Sequence, residues 1–399
     1  MPWKEKNVVN LRNEFVLRSL EQRVIFQDLC REYGISRKTG YKWQKRFLED
    51  GTQGIYDLSR KPKNCSFQLP GESVCEIIRF KLLHLKWGPK KIRELYLRAY
   101  GEAPSLSSCK RVLDKVGLVK HCRRRKQRTP QRLKQAVKAE APNDIWTVDF
   151  KGWWRIKAGK RCEPLTVRDD FSRFILALTA MDSTTTEKTR EEFEKVFSKR
   201  GVPRIIRSDN GTPFASSSSP LGLTKLSAWW IGLGIELDRI EPGHPEQNGG
   251  HERMHRDIRM ELQGLIEGDL RNQQLAFDIW RRTFNYERPH EALEMRVPAD
   301  VYQRSTQPYQ EVVMIDYPPD YFSRKIDPSG RVKVHSKHIF ISTALSGWNV
   351  GLKYVSDHRM VLWFDHLRLG EIDLQAETFI RAESIDSSSK NFKKVLPMS

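Results

Sequence analysis

An aspartate stands inside the apolar run Ile145-Trp-Thr-Val-Asp-Phe150, and this residue restricts the fold more than any other feature of the chain. The run is β-prone. A carboxylate within a strand needs a partner or a metal to offset its desolvation. A fold that accepts Asp149 must therefore bring other groups to it from distant sequence. Two further acids sit where such convergence is expected. Asp209 closes Ile205-Ile-Arg-Ser-Asp-Asn-Gly211, and Glu252 lies in Gln247-Asn-Gly-Gly-His-Glu-Arg253, just inside an expected helix. Taken singly they say less, because Asp-Asn-Gly is also a good turn and a glutamate on a helix is ordinary. Asp169 and Asp170, before Phe171-Ser-Arg173, read as turn residues.

The pattern around these acids changes along the chain. Residues 1–65 read as a helix-turn-helix DNA-binding domain. In it Ser19 with Gln22 forms a capping box for a helix to Glu32, Gly34 supplies the turn, and Ser36 caps a second helix. Trp43 and Phe47 fall on one side of that second helix, while Arg37, Lys38, Thr39, Tyr41, Lys42, Lys45 and Arg46 populate the others. A short helix with basic and polar early residues suits the major groove. Residues 66–120 read as a second helical unit, either a helix-turn-helix or a winged helix. Pro89 opens a helix carrying Lys90 and Lys91, Ser105 or Ser107 caps another, and Gly117 stops it.

From about residue 142 the periodicity becomes that of strands. Ile145 to Phe150, Glu163 to Arg168 and Phe174 to Thr179 suggest an antiparallel meander. A helix (Thr189 to Lys199), a strand (Arg204 to Ser208) and a helix (Leu226 to Leu233) come next. After a strand from Ile235 to Ile240, a long helix runs from Glu246 past Leu265 and another from Gln273 to Tyr286. This order matches a ribonuclease-H-like α/β core over 142–305. Over 310–380, short strands split by turns such as Asp327-Pro-Ser-Gly330 suggest a small β-barrel. Residues 381–399 read as a disordered tail. The fold class expected is multidomain: all-α helix-turn-helix modules, a central α/β core and a C-terminal small β-barrel.

The chain carries 70 Lys and Arg against 50 Asp and Glu, a formal charge of +20. Such an excess favours a polyanion through counterion release. The interval 121–141 concentrates it, with Arg123, Arg124, Arg125, Lys126 and Arg128, and reads as a basic linker lying along phosphates. No apolar stretch approaches a membrane-spanning helix and no secretory signal is evident. Cys30, Cys65, Cys75, Cys109, Cys122 and Cys162 form no Cys-x-x-Cys pair, which argues for free thiols in a reducing cytoplasm.

Two acids on strands and one on a helix can gather a pair of divalent ions, which cutting and rejoining a phosphodiester requires. Magnesium takes oxygen ligands and keeps waters, so a few carboxylates are enough when DNA phosphate completes its shell. His251 and His255 form a helical i, i+4 pair, but a third ligand is not evident, so zinc is not expected. Glu252, His255, Arg256 and Arg259 share a helix face and are expected to grip DNA there.

Together the motifs resemble the integrase catalytic core of retroviral integrases and bacterial insertion-sequence transposases, the DDE enzymes. The matching text is Asn143-Asp-Ile-Trp-Thr-Val-Asp149, Ile206-Arg-Ser-Asp-Asn-Gly211 with Phe214, Pro242-Gly-His-Pro-Glu-Gln-Asn-Gly-Gly-His-Glu-Arg253 and Asn285-Tyr-Glu-Arg-Pro-His290. The resemblance implies that Asp149, Asp209 and Glu252 are the catalytic, metal-holding triad for two Mg2+ or Mn2+ ions. It further implies metal-dependent nicking at the terminal inverted repeats of an insertion sequence, then joining of the freed 3′-hydroxyl to target DNA. The partners implied are double-stranded DNA and further copies of the chain in a synaptic complex, in a bacterial, nucleoid-associated cytoplasmic setting. Forty-two residues separate Asp209 from Glu252, more than the family's usual spacing, and the Ser216-Ser-Ser-Ser219 tract with Pro220 reads as the extra loop. The His/Cys zinc module of the retroviral enzymes has no counterpart here. The rival function is a transposase-derived regulator that binds DNA without catalysis.

Overall fold

The computed structural model describes residues 7–21, 24–59, 69–119, 137–241, 248–264, 266 and 268–382. The chain divides into two compact units, Met1–Pro70 and Gly71–Ser399. The basic residues Arg123, Arg124, Arg125, Lys126 and Arg128, and the tail from 383 onward, lie outside the described residues.

The first unit holds three helices: α1 (Val8–Ser19), α2 (Phe26–Glu32) and α3 (Arg37–Asp50). Phe15, Val16, Leu29, Cys30 and Trp43 form its core, with Phe47 packed against them. Gly34, at a φ of 63°, makes the turn between α2 and α3, and Ser36 Oγ accepts from Thr39 N at 3.2 Å. The expected capping box at Ser19 is not there. Ser19 is the last residue of α1 and donates back to Val16 O, while Asn7 caps that helix from in front. A serine hydroxyl bonds a preceding carbonyl as readily as it caps a following turn, so the motif alone did not locate the boundary.

The second unit opens with α4 (Gly71–Leu83), α5 (Pro89–Tyr100) and α6 (Leu106–Lys115), and the described residues 71–119 contain no strand. Ser105 caps α6 as expected.

A mixed sheet follows. Its strands are β1 (Ile145–Phe150), β2 (Trp154–Arg155), β3 (Arg161–Asp169), β4 (Ile175–Met181), β5 (Ile205–Ser208) and β6 (Glu236–Arg239). The spatial order is β4-β3-β1-β5-β6, with β2 beside the start of β3. β1 pairs antiparallel with β3, setting Asp149 opposite Thr166 and Thr147 opposite Arg168, and parallel with β5. One sheet face packs Trp146, Val148, Leu165 and Val167 under α7 (Thr186–Arg200) and α8 (Lys225–Gly232). On the other side, Ile175 and Leu178 of β4 lie under α9 (Gly249–Glu261) and α10 (Leu270–Tyr286). The helix expected from Glu246 past Leu265 is thus shorter, starting at Gly249 and ending at Glu261.

α10 also finishes the sheet. β4 is an edge strand, and its free peptide groups are met by side chains of this helix. Asn285 Oδ1 accepts from Ile175 N and its Nδ2 donates to Ile175 O, both at 2.9 Å. Gln274 treats Ala180 N and Leu178 O in the same way, at 2.8 and 3.1 Å. Satisfying an edge ladder with amides covers the edge against pairing with another strand.

The C-terminal part holds β7 (Phe322–Lys325), β8 (Arg331–Val334), β9 (Lys337–Phe340), β10 (Asn349–Ser356), β11 (Arg359–Phe364), β12 (Leu367–Asp373) and β13 (Thr378–Arg381). The expected small β-barrel is not closed. The strands form a five-stranded antiparallel sheet, β13-β12-β11-β10-β7, and a β8–β9 hairpin joined to it by an Ile326–Val332 bridge. Its apolar core includes Leu223, Ala228 and Ile231, so the α8 region fills space that barrel closure would otherwise occupy. Ser219, in the loop inserted between Asp209 and Glu252, meets Ser342 with the two hydroxyls 2.6 Å apart. Among the described residues no helix is long and apolar enough to cross a membrane.

Candidate active site

Alternation along β1 sends Trp146 and Val148 into the apolar core and leaves Thr147 and Asp149 on the opposite face. Asp149 is half-buried there. Its carboxyl pKa is pushed up to about 7, first by burial, then by the charges of Asp209 and Glu252, against a smaller opposing pull from Phe150 N–H and Lys151. The three acids share one neighbourhood, with Asp149 as its buried member. Asp209 follows β5 directly and accepts from Gly211 N at 3.1 Å, so it forms the turn while its charge acts on Asp149. Glu252 lies in the first turn of α9 and is exposed.

Two further features seat α9. A Cβ on Gly250 would stand 2.3 Å from the guanidinium of Arg168, so a larger residue there would push the helix start off the sheet. Arg168 is buried and donates to Asp170 Oδ1 at 2.7 Å. Arg207 donates to Asp238 Oδ2 at 2.7 Å and to Val137 O at 2.5 Å. This arginine–aspartate array lies at the Asp169–Asp170 end of β3, and Asp170 belongs to it and not to the acidic cluster.

The donors suit a divalent cation by their chemistry: carboxylate oxygens, one of them largely out of water beside two like charges. Among the described residues, no three His, Cys, Asp or Glu side chains stand close enough to hold an ion in this arrangement. His251 and His255 turn inward. Burial drives the His251 pKa well below its usual value and takes His255 down to about 3, with nearby cations adding to both. His255, expected at DNA, has its Nε2 2.8 Å from Thr166 Oγ1 on the sheet. Arg256 and Arg259 stay exposed on the same helix as Glu252.

The other residues expected at DNA divide. Arg37, Lys38 and Lys42 are exposed on α3, and the Lys42 ammonium lies 4.9 Å from the Trp43 ring centre. Thr39 is engaged in the Ser36 cap, and Arg46 donates to Tyr56 O at 2.8 Å. Lys90 pairs with Glu291 at 2.7 Å. Lys91 is half-buried, and its pKa falls to about 8 through burial and then the nearby Arg288. Lys90 stays exposed in that pair, whereas Lys91 is partly covered near Arg288. Thr147, Thr166, Arg168 and Gly250 line this region and went unmarked at the level of sequence. Their signal was readable: two polar residues at period two on each of two otherwise apolar strands.

Parts of the chain match known protein families. Residues 139–245 and 233–298 match the integrase core domain family, residues 12–63 a helix-turn-helix domain, and residues 39–113 a homeodomain-like domain. The chain carries an integrase core. It is similar to an uncharacterized 31.7 kDa protein of insertion element IS407 from Burkholderia multivorans, 27% identical over 191 residues, covering 48% of this chain and 66% of that protein. It is also similar to an uncharacterized 39.2 kDa protein of insertion element IS476 from Xanthomonas euvesicatoria, 29% identical over 228 residues, covering 56% and 62%. The match thus spans a little under two thirds of each relative. Among solved structures, the HTLV-2 integrase catalytic core domain in complex with magnesium aligns at a TM-score of 0.33 with 18% identity, covering 42% of this chain and all of that one. Within the integrase core of this chain, the acidic neighbourhood falls where β1, β5 and α9 meet.

Proposed function

We propose that this protein is a DNA transposase of an insertion sequence. It binds the element's terminal inverted repeats, nicks them by metal-dependent hydrolysis and joins the 3′-hydroxyl ends to target DNA. The observation that carries the reading is the half-buried Asp149 carboxylate, near enough to Asp209 and Glu252 for their charges to raise its pKa, in an integrase core attached to helix-turn-helix modules. A protein that only bound DNA would gain nothing from carboxylates aimed at phosphate.

Asp149, Asp209 and Glu252 would hold two Mg2+ or Mn2+ ions, which supply charge stabilisation to an attacking and a leaving oxygen. The chain's own residues do the rest. β1 and β5, parallel neighbours in the sheet, fix the first two acids to one rigid surface, and α9 presents the third. Arg256 and Arg259, exposed beside Glu252, grip backbone phosphate there. Arg37, Lys38 and Lys42 of α3 contact the element end, and the segment containing Arg123 to Lys126 and Arg128 tracks phosphates between the modules. Residues 1–65 and 66–120 act as the DNA-reading domains, 142–305 as the catalytic domain and 310–380 as an accessory β domain. Two ends must be held at once, so the working state is a homo-oligomer on double-stranded DNA in the bacterial cytoplasm.

A strand-joining assay on the element's own ends, with Mg2+ or Mn2+, tests the reading. Joined product is expected from the wild type. Asp149→Asn should reduce joining by on the order of 10³-fold, the scale of losing a group that acts on developing charge. Undiminished joining by Asp149→Asn, or none by the wild type on its own ends, overturns it.

A further inference from the structure

Beneath α9 lies a hydrogen-bonded brace built from two threonines and two histidines. Thr147 on β1 and Thr166 on β3 emerge on the same sheet face as Asp149. His251, fully buried, spans them: Nδ1 is 2.9 Å from Thr147 Oγ1 and Nε2 is 2.6 Å from Thr166 Oγ1. Thr166 Oγ1 also lies 2.8 Å from His255 Nε2 and donates to Asp149 O at 2.8 Å. His255 Nδ1 stands 3.8 Å from Asp149 Oδ2.

Counting protons assigns the roles. A threonine hydroxyl has one proton to give and two lone pairs to receive. With Thr166 donating to Asp149 O, both Nε2 atoms must donate to Thr166. His251 Nδ1 is then an acceptor, and the Thr147 proton goes to it at 2.9 Å in preference to Arg168 O at 3.3 Å. The brace is satisfied with both rings neutral, and the backbone of Asp149 is one of its fixed points.

We propose that Thr166, His251 and Thr147 are positioning residues that set where α9, and with it Glu252, stands against Asp149. The inference rests on the reading of Asp149, Asp209 and Glu252 as the metal-holding acids. Glu252 is the next residue after His251, so an error in seating the imidazole passes to that carboxylate through a single peptide unit. Met254 and Ile258 also anchor α9 in the core, but apolar packing has no direction. Hydrogen bonds do, and carboxylates must be held to within about 0.5 Å to share ions.

The test measures Mn2+ binding to full-length, metal-free protein by calorimetry, with circular dichroism and DNA affinity as controls. Thr166→Val removes the hydroxyl at nearly constant shape and should weaken Mn2+ binding about tenfold, the lower end of effects seen for groups that orient metal ligands. Thr166→Ser should restore it. Thr147→Val, which frees one end of the His251 clamp, should weaken it less. In joining assays Thr166→Val should lower kcat and leave KM for DNA unchanged. A folded Thr166→Val with wild-type Mn2+ affinity overturns the proposal. Should that variant not fold, Thr147→Val decides in the same way. Asp149→Asn, run alongside, separates the two readings. If it keeps wild-type affinity, or the wild type binds no Mn2+, the acidic-triad reading falls and this inference with it. If Asp149→Asn loses the ion while Thr166→Val keeps it, the triad stands and the brace is not what positions it.

Discussion

Asp149 and Asp169 sit on neighbouring antiparallel strands of one sheet, and burial raises the pKa of both. Their surroundings are opposite. Asp169 accepts from Asn143 N at 2.7 Å, from Ser172 N at 2.8 Å and from the Ser172 hydroxyl in a short bond. Those donors answer its charge. Asp149 instead feels the charges of Asp209 and Glu252, which add to the cost of ionising it. One aspartate is thus a completed structural acceptor that ties the Asn143 turn to the Ser172 turn. The other is a half-buried acid whose neighbouring charges make it worse off until a cation arrives. Burial of a carboxylate is common to both and identifies neither. What separates them is whether the fold supplies donors.

The widest break between the two should come from the matched substitutions Asp149→Asn and Asp169→Asn. The first is expected to remove joining, as above, while leaving the protein as stable as the wild type or more so, because a like-charge cluster loses a member. The second should do the reverse. An amide at 169 turns its own NH2 against one of the donating groups, and each buried donor left unmatched costs about 1–3 kcal/mol. A stability loss of roughly 3 kcal/mol is expected by chemical denaturation, with joining retained below the new melting point. Equal destabilisation by both variants would erase the distinction.

Metal titration sharpens it. A ligand bound by the native state alone stabilises by about 2.7 kcal/mol at 100 times its Kd. Mn2+ should therefore raise the melting temperature of the wild type and of Asp169→Asn by similar increments, and that of Asp149→Asn far less. If Asp149→Asn keeps the full increment, the ion is bound elsewhere.

Much of this contrast was present in the sequence, though unevenly. β1 was legible because five residues of strong β character surround one acid, and Asp209 and Glu252 were legible through the motifs around them. The donors of Asp169 were not, since a backbone N–H from Asn143 and another from Ser172 leave no mark in composition. Thr147 and Thr166 were visible at period two from Asp149 and Arg168 on their own strands but were outweighed by the carboxylates. β7, with all four residues exposed, has no alternation to detect, and β13 has little. The pairing of Lys90 with Glu291 was not legible, because a lysine engaged with a distant glutamate has the same letter as a free one. The helix-turn-helix of the first unit was read correctly from Gly34, Ser36 and Trp43, whose roles are set by local chemistry.

The smallest effect extends the comparison to a buried base. His290 closes the Asn285-Tyr-Glu-Arg-Pro-His290 motif, packs its ring 4.7 Å from that of Phe284, and is surrounded by Lys91, Arg288, Arg173 and Arg168. Burial, and then those cations, lower its pKa to about 2. The unfolded chain takes up a proton here below about pH 6.5, whereas the folded chain does not. Stability is therefore lost as pH falls from that value, at up to about 1.4 kcal/mol per pH unit. Asp149 works in the opposite sense, so the wild-type profile alone mixes the two. The difference between wild type and His290→Gln isolates the histidine. Between about pH 7.5 and 5.5 the wild type should lose about 1.4 kcal/mol more than the variant in urea denaturation. Parallel profiles would mean that His290 is protonated in the folded state, and that the cations around it are answered by acids such as Asp257 and Glu291 more fully than its burial suggests.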